Sequence, residues 1–211
     1  MKDYVKGAVA IANDNIHGYS QAQRWGPDDY DCSSLVIKCL EDAGIPVKKY
    51  GASYTGDLGQ ALAKCGAHKV AGVNLQTGKG LQYGDILLNP QTHVEIYAGN
   101  GQSVGAHSSE TGGKTGKPGD QTGNEISLQP YRNKNYTEVW RFDGFNPTTD
   151  TGATPNTRPL WDVVANVIRG KYGNGEDRVN NMLIDGFTAR QIDLIQQAVN
   201  IALAYESEGV R

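Results

Sequence analysis

Residues 30–40 have the sequence YDCSSLVIKCL, a polar start followed by a mainly apolar run. The pattern predicts a buried helix over residues 32–43, because Gly44 can end it and Pro46 prevents it from continuing. Cys32 then lies in the first turn, where unpaired backbone N–H groups and the positive end of the helix dipole favour the thiolate. Since the thiolate is the nucleophilic form of cysteine, the stretch predicts a nucleophile at the start of a helix.

The other two cysteines are expected to be structural. Cys39 lies seven residues beyond Cys32, about 10 Å along the same predicted helix, which is too far for a disulfide bond. Cys65 precedes Gly66 near the end of a later predicted helix. Cys32 is therefore the cysteine on which the chemistry is expected to depend.

A histidine on a predicted strand can act as the base that a cysteine nucleophile needs. His93 begins the alternating segment HVEIY at residues 93–97, so His93 and Glu95 share one face of the strand. Such a histidine needs a partner that fixes its tautomer. Glu95 is one candidate, and His107, which follows a hairpin turn at residues 100–101, is the one we favour. Glu110 in the following loop is a third, weaker candidate. A cysteine on a helix followed by a histidine on a sheet suggests a papain-like cysteine hydrolase.

Three residues near the cysteine are candidates for contact with a substrate. Tyr19 precedes the loop that leads to the helix, and its phenol could join the backbone N–H of Cys32 as an oxyanion donor. Asp31 is expected to cap the helix N-terminus. Asp31 and Ser33, which flank the cysteine, are also assigned with Tyr19 to substrate binding.

The spacing of potential metal ligands disfavours metal chemistry. The four histidines do not form a close pair such as H-x₃-H, which zinc sites usually show. Asp28, Asp29 and Asp31 could hold Ca²⁺, although three acids in a loop are more often simply solvated. We therefore expect neither a metal nor another cofactor, with calcium as the less favoured alternative.

Helical patterns come before strand patterns along the first part of the chain. This order predicts an α+β domain in which N-terminal helices pack on an antiparallel sheet. Residues 108–124 are rich in Gly, Thr and Ser and are expected to form a long exposed loop. The predicted helices lie at residues 3–15, 32–43 and 55–64, and the predicted strands lie near residues 85–88, 93–98, 103–107 and 138–142.

The composition changes at residue 143. Residues 146–159 contain almost no apolar residues and three prolines, which is typical of a semi-stiff linker. Helical periodicity returns in three apolar stripes, which predict a small three-helix bundle. The predicted division is a catalytic domain at residues 1–142, a linker at 143–159, a helical module at 160–206 and a tail at 207–211.

Composition also excludes several classes of partner. The 211-residue chain has a net charge of −3 and no basic run, which argues against nucleic-acid binding. No apolar stretch approaches the roughly 20 residues of a membrane span. The N-terminal residues lack the pattern of a signal peptide, so we expect synthesis in the cytoplasm.

Several segments together resemble the NlpC/P60 cysteine peptidases, and residues 26–34 are most similar to the bacteriophage branch of these peptidoglycan hydrolases. The resemblance implies a papain-like fold, a nucleophile at Cys32, a base at His93 and cleavage of amide bonds in cell-wall peptides. The family often has a third polar residue twelve positions after the base, where this chain has Gly105. The resembling segments are Tyr19 and residues 30–36, 83–86 and 93–101.

The last part of the chain resembles the CW_7 wall-binding repeat of phage lysins, in its Cpl-7-like form. The similar residues are 164–178, 185–187 and 199–200. The resemblance implies binding of muropeptide, the disaccharide-peptide unit of peptidoglycan. Backbone donors and a guanidinium suit a peptide carboxylate. The candidate wall-binding residues are therefore Lys171, Gly173, Asn174, Gly175 and Arg178.

Together these patterns predict an antimicrobial phage endolysin that is made in the host cytoplasm and acts on the cell wall after release. We expect a γ-D-glutamyl/glutaminyl–L-diamino acid endopeptidase, with an N-acetylmuramoyl-L-alanine amidase as the alternative. A zinc amidase and a wall-binding protein without catalysis are less favoured hypotheses. Homo-oligomerisation would raise the avidity of one small binding module, but the sequence does not indicate it.

Overall fold

The computed structural model describes residues 3–143, 145, 158–174, 178–179, 181–182, 187 and 189–207. The chain divides into two compact units, Met1–Phe145 and Asn146–Arg211. Most of the predicted linker lies outside the described residues. Among the described residues, no helix combines the length and apolarity that crossing a membrane requires.

The first unit confirms the predicted α+β class, with three helices on an antiparallel sheet. The helices are α1 (Tyr4–Ala12), α2 (Cys32–Asp42) and α3 (Thr55–Lys64). A short parallel pair comes early in the chain, with β1 at Gly18–Tyr19 and β2 at Asp29–Tyr30. The main strands are β3 (Ala67–Lys69), β4 (Ile86–Asn89), β5 (His93–Gly99), β6 (Gln102–Ala106), β7 (Ile126–Pro130) and β8 (Glu138–Phe142).

The six main strands form one sheet in the order β3-β8-β4-β5-β6-β7, and every neighbouring pair is antiparallel. Strand β5 lies near the middle, with Leu88 opposite Val94 on one side and Val104 opposite Ile96 on the other. The sequence patterns predicted β4, β5, β6 and β8. They missed β3, which follows α3 almost directly, and β7, which follows the long loop at residues 108–124.

The core lies between the helices and one face of the sheet. The strands alternate, so Val94 and Ile96 face the helices, as the apolar pattern predicted. A second, smaller apolar cluster on the other face contains Leu87, Tyr136 and Val139. The largest fully buried side chains of the main core are Tyr4, Leu35, Ile37, Leu40, Leu58, Leu62, Ile86, Leu88, Ile96 and Ile126.

The second unit has its own small apolar core. Its described helices are α4 (Leu160–Ile168) and α5 (Ala189–Ser207), and residues 178–179 and 181–182 are also helical. The rest of the predicted middle helix lies outside the described residues. The core contains Val163, Val164, Val167, Tyr172, Met182, Phe187, Ile192, Ile195 and Val199.

Candidate active site

Cys32 is the first residue of α2, where the sequence placed it. The preceding Asp31 caps the helix, since its carboxylate accepts the Ser34 N–H at 2.7 Å. The Ser34 hydroxyl lies 2.9 Å from the Asp31 backbone N–H and accepts from it, which completes a capping box. The predicted N-cap is therefore confirmed, and it fixes the start of the helix at the cysteine.

Asp31 and Ser33 hold the helix start in place and are poorly placed to contact a substrate. Both are buried, and the Ser33 hydroxyl donates to Asp31 at 3.0 Å. Arg24 donates to the Ser33 hydroxyl at 2.6 Å and to the Ser53 carbonyl at 2.8 Å. Its Nε lies 2.9 Å from the Asp31 carboxylate. The predicted substrate contacts at Asp31 and Ser33 are thus corrected to a structural network with Arg24.

The Cys32 thiol is neutral in this environment. Burial, followed by the charge of Asp31, raises the pKa of Cys32 to about 11. Hydrogen bonds from backbone groups, Val94 first, lower the pKa by less. The expectation that the helix start alone favours the thiolate is therefore wrong, because desolvation of the charged form outweighs it. A cysteine here needs a base to become a nucleophile at neutral pH.

His93 lies next to the group that touches the thiol. The Val94 backbone reaches Cys32 because β6 pairs with β5 only from Ile96 onward, which leaves the first part of β5 open on that side. The Nε2 atom of His93 lies 3.1 Å from Oε1 of Glu95. Because Nε2 faces Glu95, Nδ1 is the imidazole nitrogen that does not face the carboxylate.

Glu95 is a fully buried carboxylate that several side chains surround. Its side chain is 0% exposed, and this burial alone would raise the pKa of Glu95. Hydrogen bonds with His107 and His93 and the positive charge of Lys134 outweigh burial, so the pKa lies well below its usual range. His107 Nδ1 lies 3.2 Å from Glu95 Oε1, and the Ser103 hydroxyl donates to Oε2. Such a carboxylate can orient an imidazole and stabilise its protonated form.

The orienting partner in direct contact with His93 is Glu95. His107 contacts Glu95, and its ring centroid lies 6.1 Å from that of His93. The preference for His107 as the direct partner is therefore corrected, and His107 becomes a support of the carboxylate.

Gly105 makes this arrangement sterically feasible. A Cβ atom at position 105 would lie 2.6 Å from Cγ of Glu95, closer than such atoms approach in proteins. The side chain of Glu95 thus fills the space beside β6 that a side chain at position 105 would need. The glycine on β6 and the carboxylate on β5 are therefore matched in shape.

Two site residues were missed by the sequence patterns, and both come from the segment between β7 and β8. Lys134 Nζ lies 2.6 Å from Glu95 Oε1. The Tyr136 ring stacks on the His93 ring, with centroids 6.3 Å apart and an interplanar angle of 21°. A lone lysine and a lone tyrosine in a polar loop carry no signal of this role in sequence.

Tyr19 is buried within electrostatic range of Cys32. Burial is the main cause that raises the pKa of Tyr19, and the charge of Asp31 adds to it. Gln21 donates to the Tyr19 hydroxyl at 3.1 Å, so the hydroxyl keeps its own proton for a further acceptor. The Tyr19 backbone N–H donates to the Glu125 carboxylate at 3.0 Å, which ties β1 to the end of the long loop before β7.

One set of side chains in the described part of the chain has the composition of a metal site. His93, Glu95 and His107 each offer a ligand atom, and these atoms lie within 4.8 Å of one another. Lys134 Nζ stands among them, 2.6 Å from Glu95 and 2.9 Å from His107 Nδ1. An ammonium group there repels a metal cation, so the set does not fit zinc.

The acidic residues proposed for calcium have other partners. The Asp29 carboxylate accepts backbone N–H groups of Gly18 at 3.2 Å and Gly119 at 3.0 Å. Asp31 caps α2 and pairs with Arg24. The donors thus occupy Oδ1 of Asp29 and the Asp31 carboxylate, which disfavours the lesser expectation of Ca²⁺ binding.

In the second unit, Arg178 holds the predicted wall-binding turn together. Its guanidinium donates to the Gly173 carbonyl at 3.2 Å, to Asn174 at 3.3 Å and to Gln196 at 3.0 Å. Lys171 lies in the same turn, while Gly175 lies outside the described residues. The geometry gives Arg178 a structural role in the fold of this turn.

Two segments of the chain match known families. Residues 26–104 match the endolysin-like domain family, and residues 162–203 match the CW_7 repeat. The second match confirms the resemblance of the C-terminal part. None of the curated proteins matches this chain.

Solved structures with similarity to the chain include one described as a peptidoglycan hydrolase. RipB of Mycobacterium tuberculosis, a peptidoglycan hydrolase, is 22% identical with a TM-score of 0.38, over 65% of this chain and 64% of RipB. NlpC1 of Trichomonas vaginalis is 20% identical with a TM-score of 0.41, over 67% of this chain and 44% of NlpC1. The P60 domain of the M. avium subspecies paratuberculosis antigen MAP1204 is 18% identical with a TM-score of 0.38, over 66% of this chain and 96% of that domain. The chain thus spans less than two thirds of the length of RipB and of NlpC1.

Proposed function

We propose that this protein is a phage-type endolysin of the NlpC/P60 class, which hydrolyses amide bonds in peptidoglycan stem peptides with a cysteine nucleophile. The observation that carries the proposal is the contact between the start of α2 and strand β5. The start of α2 brings Cys32 against the Val94 backbone, and the adjacent His93 is oriented by Glu95. The match of residues 26–104 to the endolysin-like domain supports the same substrate class.

The reaction follows from the protonation states. Cys32 is a thiol at rest, so His93 takes its proton through Nδ1 as the sulfur attacks the peptide carbonyl. The resulting imidazolium donates that proton to the leaving amine, and a thioester with Cys32 remains. Water, deprotonated by His93, then attacks the thioester, and the proton returns to the sulfur. Glu95 stabilises the imidazolium in both halves of the reaction because it faces Nε2.

Developing charge on the carbonyl oxygen also needs donors. The backbone N–H of Cys32 lies at the start of α2, where backbone donors are not used by the helix. The Tyr19 hydroxyl, which Gln21 polarises, is the second donor in this proposal. We expect Tyr19→Phe to lower kcat by about tenfold or more with a smaller effect on KM.

The second unit would hold the enzyme on its substrate. Its match to the CW_7 repeat supports binding of muropeptide. This role is tested by the affinity of the full chain for purified cell walls, measured with Cys32→Ala so that the walls stay intact. The proposal is supported if binding is saturable and soluble muropeptide competes with it. It is contradicted if muropeptide does not reduce binding.

The scissile bond is proposed to be the γ-D-glutamyl/glutaminyl–L-diamino acid bond. An N-acetylmuramoyl-L-alanine amidase would use the same residues. Mass spectrometry of digested walls separates them, because a new N-terminus on the diamino acid identifies the endopeptidase and one on L-Ala identifies the amidase.

The decisive experiment compares the clearing of Gram-positive cell walls by four proteins. We expect Cys32→Ala and His93→Ala to lose clearing by at least about a thousandfold relative to wild type, whereas Cys39→Ala on the same helix keeps it. EDTA should leave the wild-type rate unchanged. Clearing that survives Cys32→Ala but is lost in EDTA would point to a zinc amidase, and no clearing by any form would point to wall binding without catalysis.

We also propose that the protein is made in the host cytoplasm and acts on the wall after release. If so, added purified protein should lyse susceptible Gram-positive cells from outside. Lysis that requires expression inside the cell would contradict this part of the proposal.

A further inference from the structure

The segment between β7 and β8 is fixed firmly enough to place a side chain in the active site. The Tyr131 hydroxyl donates to the Leu75 carbonyl at 2.6 Å at one end of the segment. Near the other end, Asn89 donates to the Asn135 carbonyl at 2.7 Å, and Asn133 accepts the Tyr136 N–H at 3.0 Å. Lys134 lies between these anchors, so its backbone position is set by contacts outside the catalytic group.

The ion pair that Lys134 makes differs from an ordinary surface pair. Its Nζ lies 2.6 Å from Glu95, whose side chain is 0% exposed. Lys69 and Glu138 pair at the same 2.6 Å, but their side chains are 57% and 19% exposed, against 33% and 0% for Lys134 and Glu95. A buried carboxylate loses much of its hydration and must be compensated by a nearby positive charge. The exposed pair has water to compensate it.

Three groups could supply that positive charge to Glu95. They are the Lys134 ammonium, an imidazolium at His93 and an imidazolium at His107. If Lys134 supplies it, neither histidine has to be protonated to balance the carboxylate. A general base must be unprotonated at rest, so the source of the charge matters for the proposed reaction.

We propose that Lys134 is a positioning residue, which compensates the buried Glu95 carboxylate so that Glu95 orients His93 without drawing its compensating charge from that imidazole. The inference rests on the proposed function for its catalytic meaning. Its structural content, one lysine compensating a carboxylate that also orients a histidine, does not depend on the substrate.

The charged and titratable groups around Glu95 come from every element packed against it. Strand β5 supplies His93, and the end of β6 is followed by His107. The segment after β7 supplies Tyr131, Lys134 and Tyr136, and α2 supplies the Cys32 thiol near Tyr136. Lys134 is the ammonium among these groups, so its removal leaves the two imidazoles beside the carboxylate.

The test is an NMR titration of the histidine side chains in a Cys32→Ala background, which removes coupling to the thiol. The chain has four histidines, so each signal can be assigned, and His17 and His68 act as internal references. In Lys134→Met, we expect the midpoint of His93 to rise by about one pH unit or more. Lys134→Arg keeps a permanent charge and should restore a midpoint near the wild-type value. Lys69→Met, which removes the exposed lysine, should leave His93 unchanged.

An unchanged His93 midpoint in folded Lys134→Met would overturn the proposal, and so would a rise confined to His107. If Lys134→Met does not fold, Lys134→Gln, which keeps a polar end, serves for the same titration. The pH profile of wall hydrolysis gives a second readout, since the acidic limb of kcat/KM should move to higher pH in Lys134→Met. A uniform loss at every pH would mean a merely structural role. Because the titration needs no substrate, the proposal can stand or fail separately from the endolysin function.

Discussion

The two faces of strand β5 differ in what holds them. On the helix side, Val94 and Ile96 are fully buried among apolar side chains from three helices. On the other side, Glu95 is as fully buried, but among two imidazoles and an ammonium. Apolar burial is non-directional and tolerates substitution of similar volume. The polar face depends on a few directional contacts, so we expect substitutions there to lower both the unfolding free energy and the catalytic activity.

The largest effect is expected from Glu95→Ala on the polar face. Removal of the carboxylate leaves Lys134 without its buried partner and His93 without its orienting acceptor. Breaking a buried pair from one side costs about 3–5 kcal/mol of unfolding free energy. Loss of the orienting group should also lower kcat/KM by about a hundredfold or more. Urea unfolding and wall clearing measure the two effects.

Glu138→Ala is the matched control for that change. Glu138 pairs with Lys69 at 2.6 Å on the same sheet, where the Lys69 side chain is 57% exposed and that of Glu138 is 19% exposed. Glu138 also accepts the Trp140 Nε1–H at 2.8 Å. Loss of the screened pair and of this hydrogen bond should cost about 1–2 kcal/mol, with kcat/KM nearly unchanged. Equal losses in the two variants would remove the distinction between the buried and the exposed pair.

The apolar face should respond to Ile96→Ala with a loss of stability alone. Ile96 is fully buried opposite Val104, so its truncation leaves a cavity and should cost about 2–5 kcal/mol. The folded fraction should retain its activity per molecule and the wild-type pH profile. A shift of the pH profile in Ile96→Ala would show that the two faces are coupled more tightly than the contacts indicate.

The pH dependence of stability should identify the polar face by its sign. The pKa of Glu95 is lowered in the folded protein, first through its hydrogen bonds with His107 and His93. A lowered folded pKa stabilises the fold above the unfolded value of about 4.3, and this contribution is lost as the pH falls through the folded pKa. Between about pH 5 and 3, the unfolding free energy of the wild type should therefore fall more steeply than that of Glu95→Gln. Parallel curves would contradict the assigned shift.

The same comparison explains what the sequence could predict. Local patterns are enough for α3, whose bounds match the prediction at residues 55–64, and for the placement of Cys32 at the first position of α2. Period-2 alternation was enough to put Val94 in the core and His93 and Glu95 on the opposite face. Each of these depends on residues within a few positions of one another.

The remainder of the site depends on tertiary contacts that no local pattern reports. Lys134 reaches Glu95 from 39 residues away, and nothing around it in sequence marks it. The choice between Glu95 and His107 depended on the side chain that occupies the space above Gly105. The pKa of Cys32 depended on burial by elements far along the chain, which outweighs the helix start.

Gly105→Ala tests whether shape, as well as charge, defines the polar face. The new methyl group would lie 2.6 Å from Cγ and 3.2 Å from Cδ of Glu95, so the side chain that orients His93 must shift. Overpacking of this kind costs about 1–3 kcal/mol, and we expect kcat/KM to fall by about tenfold. Gly7→Ala is the control, because its Cβ would meet Cys39 Sγ at an ordinary 3.9 Å. An active, stable Gly105→Ala would show that Glu95 has room to adjust.

The smallest effect is expected from Tyr136→Phe, which removes one hydroxyl and keeps the ring. The ring stacks on His93, and burial, followed by the charge of Glu95, raises the pKa of Tyr136. The hydroxyl lies beside Glu95 but makes no well-directed hydrogen bond with the described residues, so its removal costs little. We expect the unfolding free energy to change by less than about 0.5 kcal/mol and wall clearing by less than about threefold. Tyr136→Ala, which also removes the stacked ring, should cost about 3–5 kcal/mol of unfolding free energy. A large loss of activity in Tyr136→Phe would contradict this prediction and would mean that the hydroxyl contacts Glu95 during the reaction.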